Sequence, residues 1–219
     1  MKFTLDSPVF SMIDQITDLL VAGFLWLVFS APLVTIGPAS AALYYTIVKV
    51  IRRKRETVTK SFLHAFLVNL RQGVGITLLY MVYGGLFFLY SYLLRYGEIQ
   101  GKGYMAVAGG IIIVSPLLFT LPYIFPVLSR FQLKTGRIIQ YALHMSVRHF
   151  MITFVLLFML SVIGILIYFI PFFLVILPGV YVYLSSFLIE RVFRWYLAAE
   201  REKYKEGEAL PWYLEEEEH

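Results

Sequence analysis

No cysteine occurs among the 219 residues, so thiolate metal sites, disulfide frameworks and thiol nucleophiles are excluded together. Histidine numbers only 4 and the acidic residues only 14, which leaves few groups for acid–base or metal chemistry. Charge as a whole is scarce: 15% of residues carry it, against roughly a quarter in an ordinary soluble domain. Apolar side chains fill the space. Hydrophobic residues make up 59% of the chain and its mean hydropathy is +0.75, more apolar surface than a water-facing globule can cover. Such a chain is counted in membrane spans of about 20 residues.

The charged positions delimit four uncharged runs: Leu19 to Val48 (30 residues), Gln72 to Leu94 (23), Gly103 to Ser129 (27) and His149 to Ile189 (41). At 1.5 Å per residue the last would be roughly 60 Å of helix, about twice the hydrocarbon thickness, so it must fold back, and Pro171 near its middle marks where. The first run is also too long for one straight span, and Gly37-Pro38 marks its break. The expectation is an all-α polytopic membrane protein in one transmembrane domain. Its five spans lie near 16–36, 72–94, 104–128, 150–170 and 172–190, with cytoplasmic helices near 38–55, 59–71 and 134–149 and a tail from 191 to 219.

Sorted by side, 16 of the 19 basic residues fall on one face, and only Lys2, Arg95 and Lys102 on the other. By the positive-inside rule the rich face is cytoplasmic, which puts the N-terminus outside and the C-terminus inside. Asp6, Asp14 and Asp18 precede the first apolar run, so the start does not read as a cleaved signal peptide. Two basic amphipathic helices are expected on the inner face. In the first, Phe62, Phe66, Asn69 and Leu70 recur at helical spacing, with Lys60, His64, Leu67 and Arg71 on other faces. The second follows Arg130, Lys134 and Arg137. An offset of 77 aligns Ala65 with Ala142, Phe66 with Leu143, Asn69 with Ser146 and Arg71 with Arg148, a weak repeat of span, basic helix and span. Glu215 to Glu218 form an acidic run near the end, of the kind that is usually solvated.

Ionisable residues inside spans mark proton relays and ion pathways, and the cores of the expected spans hold none. Asp14 and Asp18 read as interfacial, and Glu190 with Arg191 as a local pair or headgroup contact at the inner end of the last span. His144 and His149 are five apart, which is not the same-face spacing of a two-histidine metal motif. With no nucleophile triad and no phosphate loop, the expectation is a non-enzymatic protein with no catalytic, cofactor or metal site. Two weaker constellations remain. Pro32, Thr35, Gly37, Pro38 and Ser40 crowd one helix break, and Pro116, Pro122 and Pro126 repeat the theme in the third span. Broken helices can line a substrate pathway, or can be kinks whose freed carbonyls are satisfied by Thr35 or Ser40. Arg52, Arg53, Lys54 and Arg55, with Phe62, Phe66, Asn69 and Arg71, form a candidate contact for anionic headgroups or a partner. Topology explains that basic cluster, and nucleic acid is not implied. Tyr90, Tyr92, Tyr96 and Tyr104, and Trp195 with Tyr196, read as aromatic belts at the two boundaries.

Three stretches carry a resemblance. They are Pro32-Leu33-Val34-Thr35-Ile36-Gly37-Pro38-Ala39-Ser40-Ala41-Ala42-Leu43-Tyr44; Phe62, Phe66 and Asn69 with Arg71-Gln72; and Leu177-Pro178 followed by Ser185-Ser186-Phe187 and Val192-Phe193. Together they resemble the YesL-type family of bacterial integral membrane proteins. Leu67 and Val68 depart from its pattern, since relatives tend to be more polar there. The resemblance implies an accessory role in carbohydrate uptake beside ABC transporters, in the plasma membrane, with permease subunits as partners. It supplies no catalytic or binding residues. The alternatives are an uncoupled sugar carrier using the proline breaks and, less favoured, a membrane enzyme or lipid-handling protein.

Overall fold

In the computed structural model, residues 8–52, 56–96, 103–131 and 133–201 are described, and among them every regular element is helical. Helix α1 (Pro8–Phe29) opens on a proline, which costs nothing at a first turn that has no carbonyl to bond. It ends before Pro32, whose ring disfavours helical backbone in the residue preceding it and whose own backbone is extended (φ −75°, ψ 113°). A short 3₁₀ turn, Leu33–Thr35, leads into α2 (Ile36–Thr46), which widens into π-type turns over Ile47–Arg52. The break expected at Gly37-Pro38 therefore lies earlier, at 30–32. Pro38 sits inside the first turn of α2, where no backbone N–H is needed.

Of the segment expected as an inner-surface helix, 38–55, the described part, 38–52, is not on the surface. Ala39, Ala41, Ala42, Leu43, Tyr44, Ile47 and Val48 are all essentially inaccessible. Ala41, Tyr44 and Val48 face a core built from α3 to α7, and Ala39, Ala42, Leu43 and Ile47 face a second core shared with α1 and the start of α3. A helix apolar all round belongs inside a bundle, and alanines let its neighbours come close.

Glu56 turns the chain in the left-handed region (φ 65°), and α3 then runs unbroken from Val58 to Tyr96. The inner helix near 59–71 and the span near 72–94 are thus one helix, about 58 Å long for its 39 residues. After it come α4 (Gly103–Arg130), α5 (Thr135–Arg148), α6 (Phe150–Phe169), a 3₁₀ turn at Pro171–Val175, and α7 (Leu177–Arg201). The last helix begins five residues later than the span expected from 172 and runs past 190. Pro116, Pro122 and Pro126 all lie within α4 without interrupting it, so no second break exists there. The carbonyls that lose an N–H partner to Pro116, Pro122 and Pro126 are those of Ile112, Leu118 and Pro122, four residues earlier, and the Ser115 hydroxyl reaches the Ile112 carbonyl at 3.5 Å.

Among the described residues four stretches are long and apolar enough to cross a membrane: Leu33–Arg52, Val58–Tyr96, Ala108–Arg130 and Phe150–Phe169. This makes the chain a helical protein of the membrane type by length and composition. The first and last of the five expected spans are not among the four; α7 carries Glu190, Arg191 and Arg194 within its length.

Candidate functional site

The centre of the bundle holds charge that the sequence reading placed at its edge. Arg130, the last residue of α4, is buried, and its guanidinium donates to Oε1 of Glu190 on α7. The Tyr44 hydroxyl, from α2, donates to the same oxygen at 2.7 Å. Three helices thus meet on one carboxylate. Nearby, Arg52 donates from Nη1 to the Ser186 carbonyl (3.2 Å) and lies over the Phe187 ring, 4.5 Å from its centroid. Glu190 is therefore no local partner of Arg191, which is exposed. A signal was present: Glu190 is the sole acidic residue between positions 99 and 199, alone among basic neighbours. Such a group is costly to bury unless a cation comes with it.

The proline-rich joint is closely packed. The Thr35 hydroxyl lies 2.6 Å from the carbonyls of both Phe29 and Pro32, as hydrogen-bond donor at the end of α1. Ser40 accepts from the indole of Trp26 at 3.1 Å. Gly37 donates its N–H to the Thr77 hydroxyl (3.0 Å), and a Cβ built on Gly37 would stand 2.2 Å from that oxygen and 2.7 Å from the Gly73 carbonyl. A Cβ on Gly73 would stand 2.7 Å from the Pro38 nitrogen. Pro38 is buried here and Pro32 exposed. In α4, Pro122 and Pro126 are buried and Pro116 is exposed.

The contact surface proposed around Arg52 is also rearranged. Phe62 and Phe66 point inward and pack on Phe29, at ring-centroid distances of 5.6 and 4.8 Å. Asn69 is buried, with its amide donating to the Ala65 carbonyl. These three stabilise the chain's own fold and cannot meet a headgroup or partner. Arg71 is exposed, while Arg53, Lys54 and Arg55 lie outside the described residues. The open face of the first half of α3 is instead Lys60, Leu63, His64, Leu67, Val68 and Arg71, with Leu67 and Val68 each about two-thirds exposed at 67% and 63%. Sequence periodicity located that helix but assigned its apolar residues to the wrong destination.

Glu56 and His149 sit between the candidate spans. Glu56 accepts from Ser61 (3.0 Å) and pairs with Lys49 (3.0 Å), and these donors hold its carboxyl below the usual range. Burial, then the charge of Arg148 and the neighbouring His144, pushes His149 below its usual range. Among the described residues no group of three or more His, Asp or Glu is placed to hold a metal ion.

A family model described as a protein of unknown function, DUF624, matches residues 19–92, and YesL-type proteins belong to that family. The match covers the end of α1, all of α2 and most of α3, including the Thr35 to Tyr44 stretch and the Phe62, Phe66 and Asn69 set. No curated protein and no solved structure matches the chain.

Proposed function

We propose that this DUF624-type chain is a non-enzymatic integral protein of the bacterial plasma membrane that works by association, as an accessory or regulatory component of a carbohydrate ABC uptake system. The observation that favours association over transport is the joint between α2 and α3. Gly37, Pro38, Gly73 and Thr77 stand so close that even a methyl group has no room, so the feature most suggestive of a pathway is a packing contact. Partner-binding surface is available on the first half of α3, where Leu63, Leu67 and Val68 are exposed between Lys60 and Arg71. Exposed apolar residues rimmed by polar ones mark interaction sites. In this reading a permease subunit covers that face, and anionic headgroups meet the basic sequence Arg53-Lys54-Arg55.

The test is affinity purification from the native host in mild detergent, followed by mass spectrometry. Permease subunits are expected with the unaltered chain and lost with Leu67→Lys combined with Val68→Lys. Recovery of no permease subunit overturns the reading.

One observation favours a carrier instead: the Arg130–Glu190 pair is an ionisable site within the helix bundle, where such groups often serve transport. A carrier gives sugar flux in proteoliposomes of the purified chain, reduced by Pro38→Ala or Thr35→Val; an accessory subunit gives none.

A further inference from the structure

The basic residues of α5 present a surface whose complement lies in the same chain. Arg137, Tyr141, His144 and Arg148 follow at helical spacing and are all exposed, with Val147 beside them 66% exposed. Ile138, Ala142 and Met145 face the core, and within the fold the stripe is met at the rings of Tyr141, by Phe131 and Tyr196, and of His144, by Tyr196. Among the described residues no carboxylate pairs with Lys134, Arg137 or Arg148, since Glu56 and Glu190 are engaged by Lys49 and Arg130.

The acids are elsewhere. Glu202, Glu206, Glu208 and Glu215 to Glu218 are seven of the chain's 14 acidic residues, all beyond the last described position, Arg201. Directly before the final four stands Leu210-Pro211-Trp212-Tyr213-Leu214, an apolar and aromatic segment. The structure fixes where this tail departs. Tyr196 packs edge-on against Tyr141 (6.5 Å) and His144 (6.2 Å), and Leu197 is buried in the same core. Arg201 follows Tyr196 by little more than one helical turn, so α7 delivers the tail beside the α5 stripe. Eighteen residues span at most about 60 Å, more than the 14-residue α5 needs at about 21 Å.

We infer that the tail docks on α5 of its own chain, with Leu210 to Leu214 on Val147 and Tyr141 and the Glu215 to Glu218 carboxylates on Arg137, His144 and Arg148. The tether makes weak contacts sufficient. A short linker gives an effective concentration of millimolar order, so a segment with a dissociation constant near 1 mM is about half bound. The occupied face is α5, separate from the α3 face assigned to a partner, and the inference does not depend on that assignment.

The absence of native cysteine makes the test clean. Full-length chain carrying Val147→Cys and Leu214→Cys is placed in nanodiscs, once zwitterionic and once containing phosphatidylglycerol, and oxidised. Val68→Cys with Leu214→Cys is the control, on an equally exposed site of α3. The expected result is an intramolecular disulfide in both lipids at several times the control yield. It falls to the control level with Arg137→Glu and Arg148→Glu, and in 1 M salt, where the Debye length shrinks to about 3 Å. Yields equal to the control, or indifferent to charge reversal, overturn the inference. So does a disulfide-linked dimer, which assigns the face to a second copy. A disulfide confined to zwitterionic lipid overturns it in favour of anionic headgroups.

Discussion

Replacing Gly37 by alanine tests the joint on which the arrangement of α2 depends. The added methyl would stand 2.2 Å from the Thr77 hydroxyl oxygen, 2.7 Å from the Gly73 carbonyl oxygen and 3.0 Å from the Phe125 ring. Thr77 can rotate away, but its hydroxyl then no longer accepts the Gly37 N–H, and a net hydrogen bond is worth about 1 kcal/mol. The Gly73 carbonyl belongs to the α3 backbone and cannot rotate, so the two helices must part by several tenths of an ångström. Overpacking of this kind costs about 1–3 kcal/mol, and the first turn of a helix recovers little of it through propensity. The expected net loss is about 2 kcal/mol, or roughly 4–8 °C in melting temperature for a chain of this size. Gly75→Ala is the internal control, two residues from the joint on α3, where a Cβ meets nothing within 4 Å. It should gain up to about 1 kcal/mol from helix propensity alone. The assay is thermal melting in detergent by tryptophan fluorescence, with Trp26, bonded to Ser40, as a reporter beside the joint. Adding Thr77→Ala to Gly37→Ala should rescue only part of the loss, because the Gly73 carbonyl remains. A Gly37→Ala chain that melts as high as Gly75→Ala refutes the close crossing.

Three further outcomes follow from particular contacts. Glu190→Ala strands the buried Arg130 guanidinium and should cost about 3–5 kcal/mol, whereas Arg130→Met with Glu190→Leu should recover most of it; melting of the single and double variants checks this. Glu56→Gly relieves a left-handed residue by about 1 kcal/mol and gives up an exposed pair worth at most about 1 kcal/mol, so its melting temperature should stay near the parent's while Glu56→Ala falls below both. His149 is held below its ordinary value of 6.5, so the unfolded chain binds this proton first as pH falls; the stability it contributes is whole above about pH 6.5 and lost as pH drops through the folded value. His149→Gln should flatten the melting-temperature profile between pH 7.5 and 5.5, and an unchanged slope would show that another group sets it.

The apolar runs, the helical class and the amphipathic character of residues 59–71 and 134–149 were legible because each rests on local periodicity or on charge position. What was not legible depends on contacts between distant residues. Arg130 and Glu190 each end an uncharged run, so a reading of runs treats both as boundary markers; they are 60 residues apart and pair only once α4 and α7 are packed. Gly37-Pro38 looks like a breaker in sequence, yet the helix tolerates proline in its first turn and uses the glycine for approach to α3. The three prolines of α4 mislead in the same way. Phe62, Phe66 and Asn69 do form one face, but periodicity reports that a face is apolar and not what covers it; α1 and α2 cover this one.

The 77-residue offset gains substance from burial. Helix α3 starts at Val58 and α5 at Thr135, and Ile47 with Ile124, Val50 with Val127, Ile51 with Leu128, Ala65 with Ala142 and Asn69 with Ser146 are buried in both units. Each unit therefore packs an apolar helix against an amphipathic one with several of the same positions inward, although Phe66 is buried and its counterpart Leu143 is 41% exposed. The units part company one turn later. At Gly73 the first amphipathic helix passes against Pro38 and continues straight, because a residue without a side chain allows that approach. Its counterpart 77 residues on is Phe150, whose ring has no place at such a crossing. There the chain turns at His149 (φ −110°, ψ 47°), the Phe150 ring stacks on Phe119 at 5.8 Å, and α6 departs as a separate helix. Helix α6 buries only Thr153 and Leu156, and beyond Thr77 α3 buries none of its residues either, so both units end in a helix left almost wholly uncovered by its own chain, continuous with the amphipathic helix in the first and set off by the turn at His149 in the second.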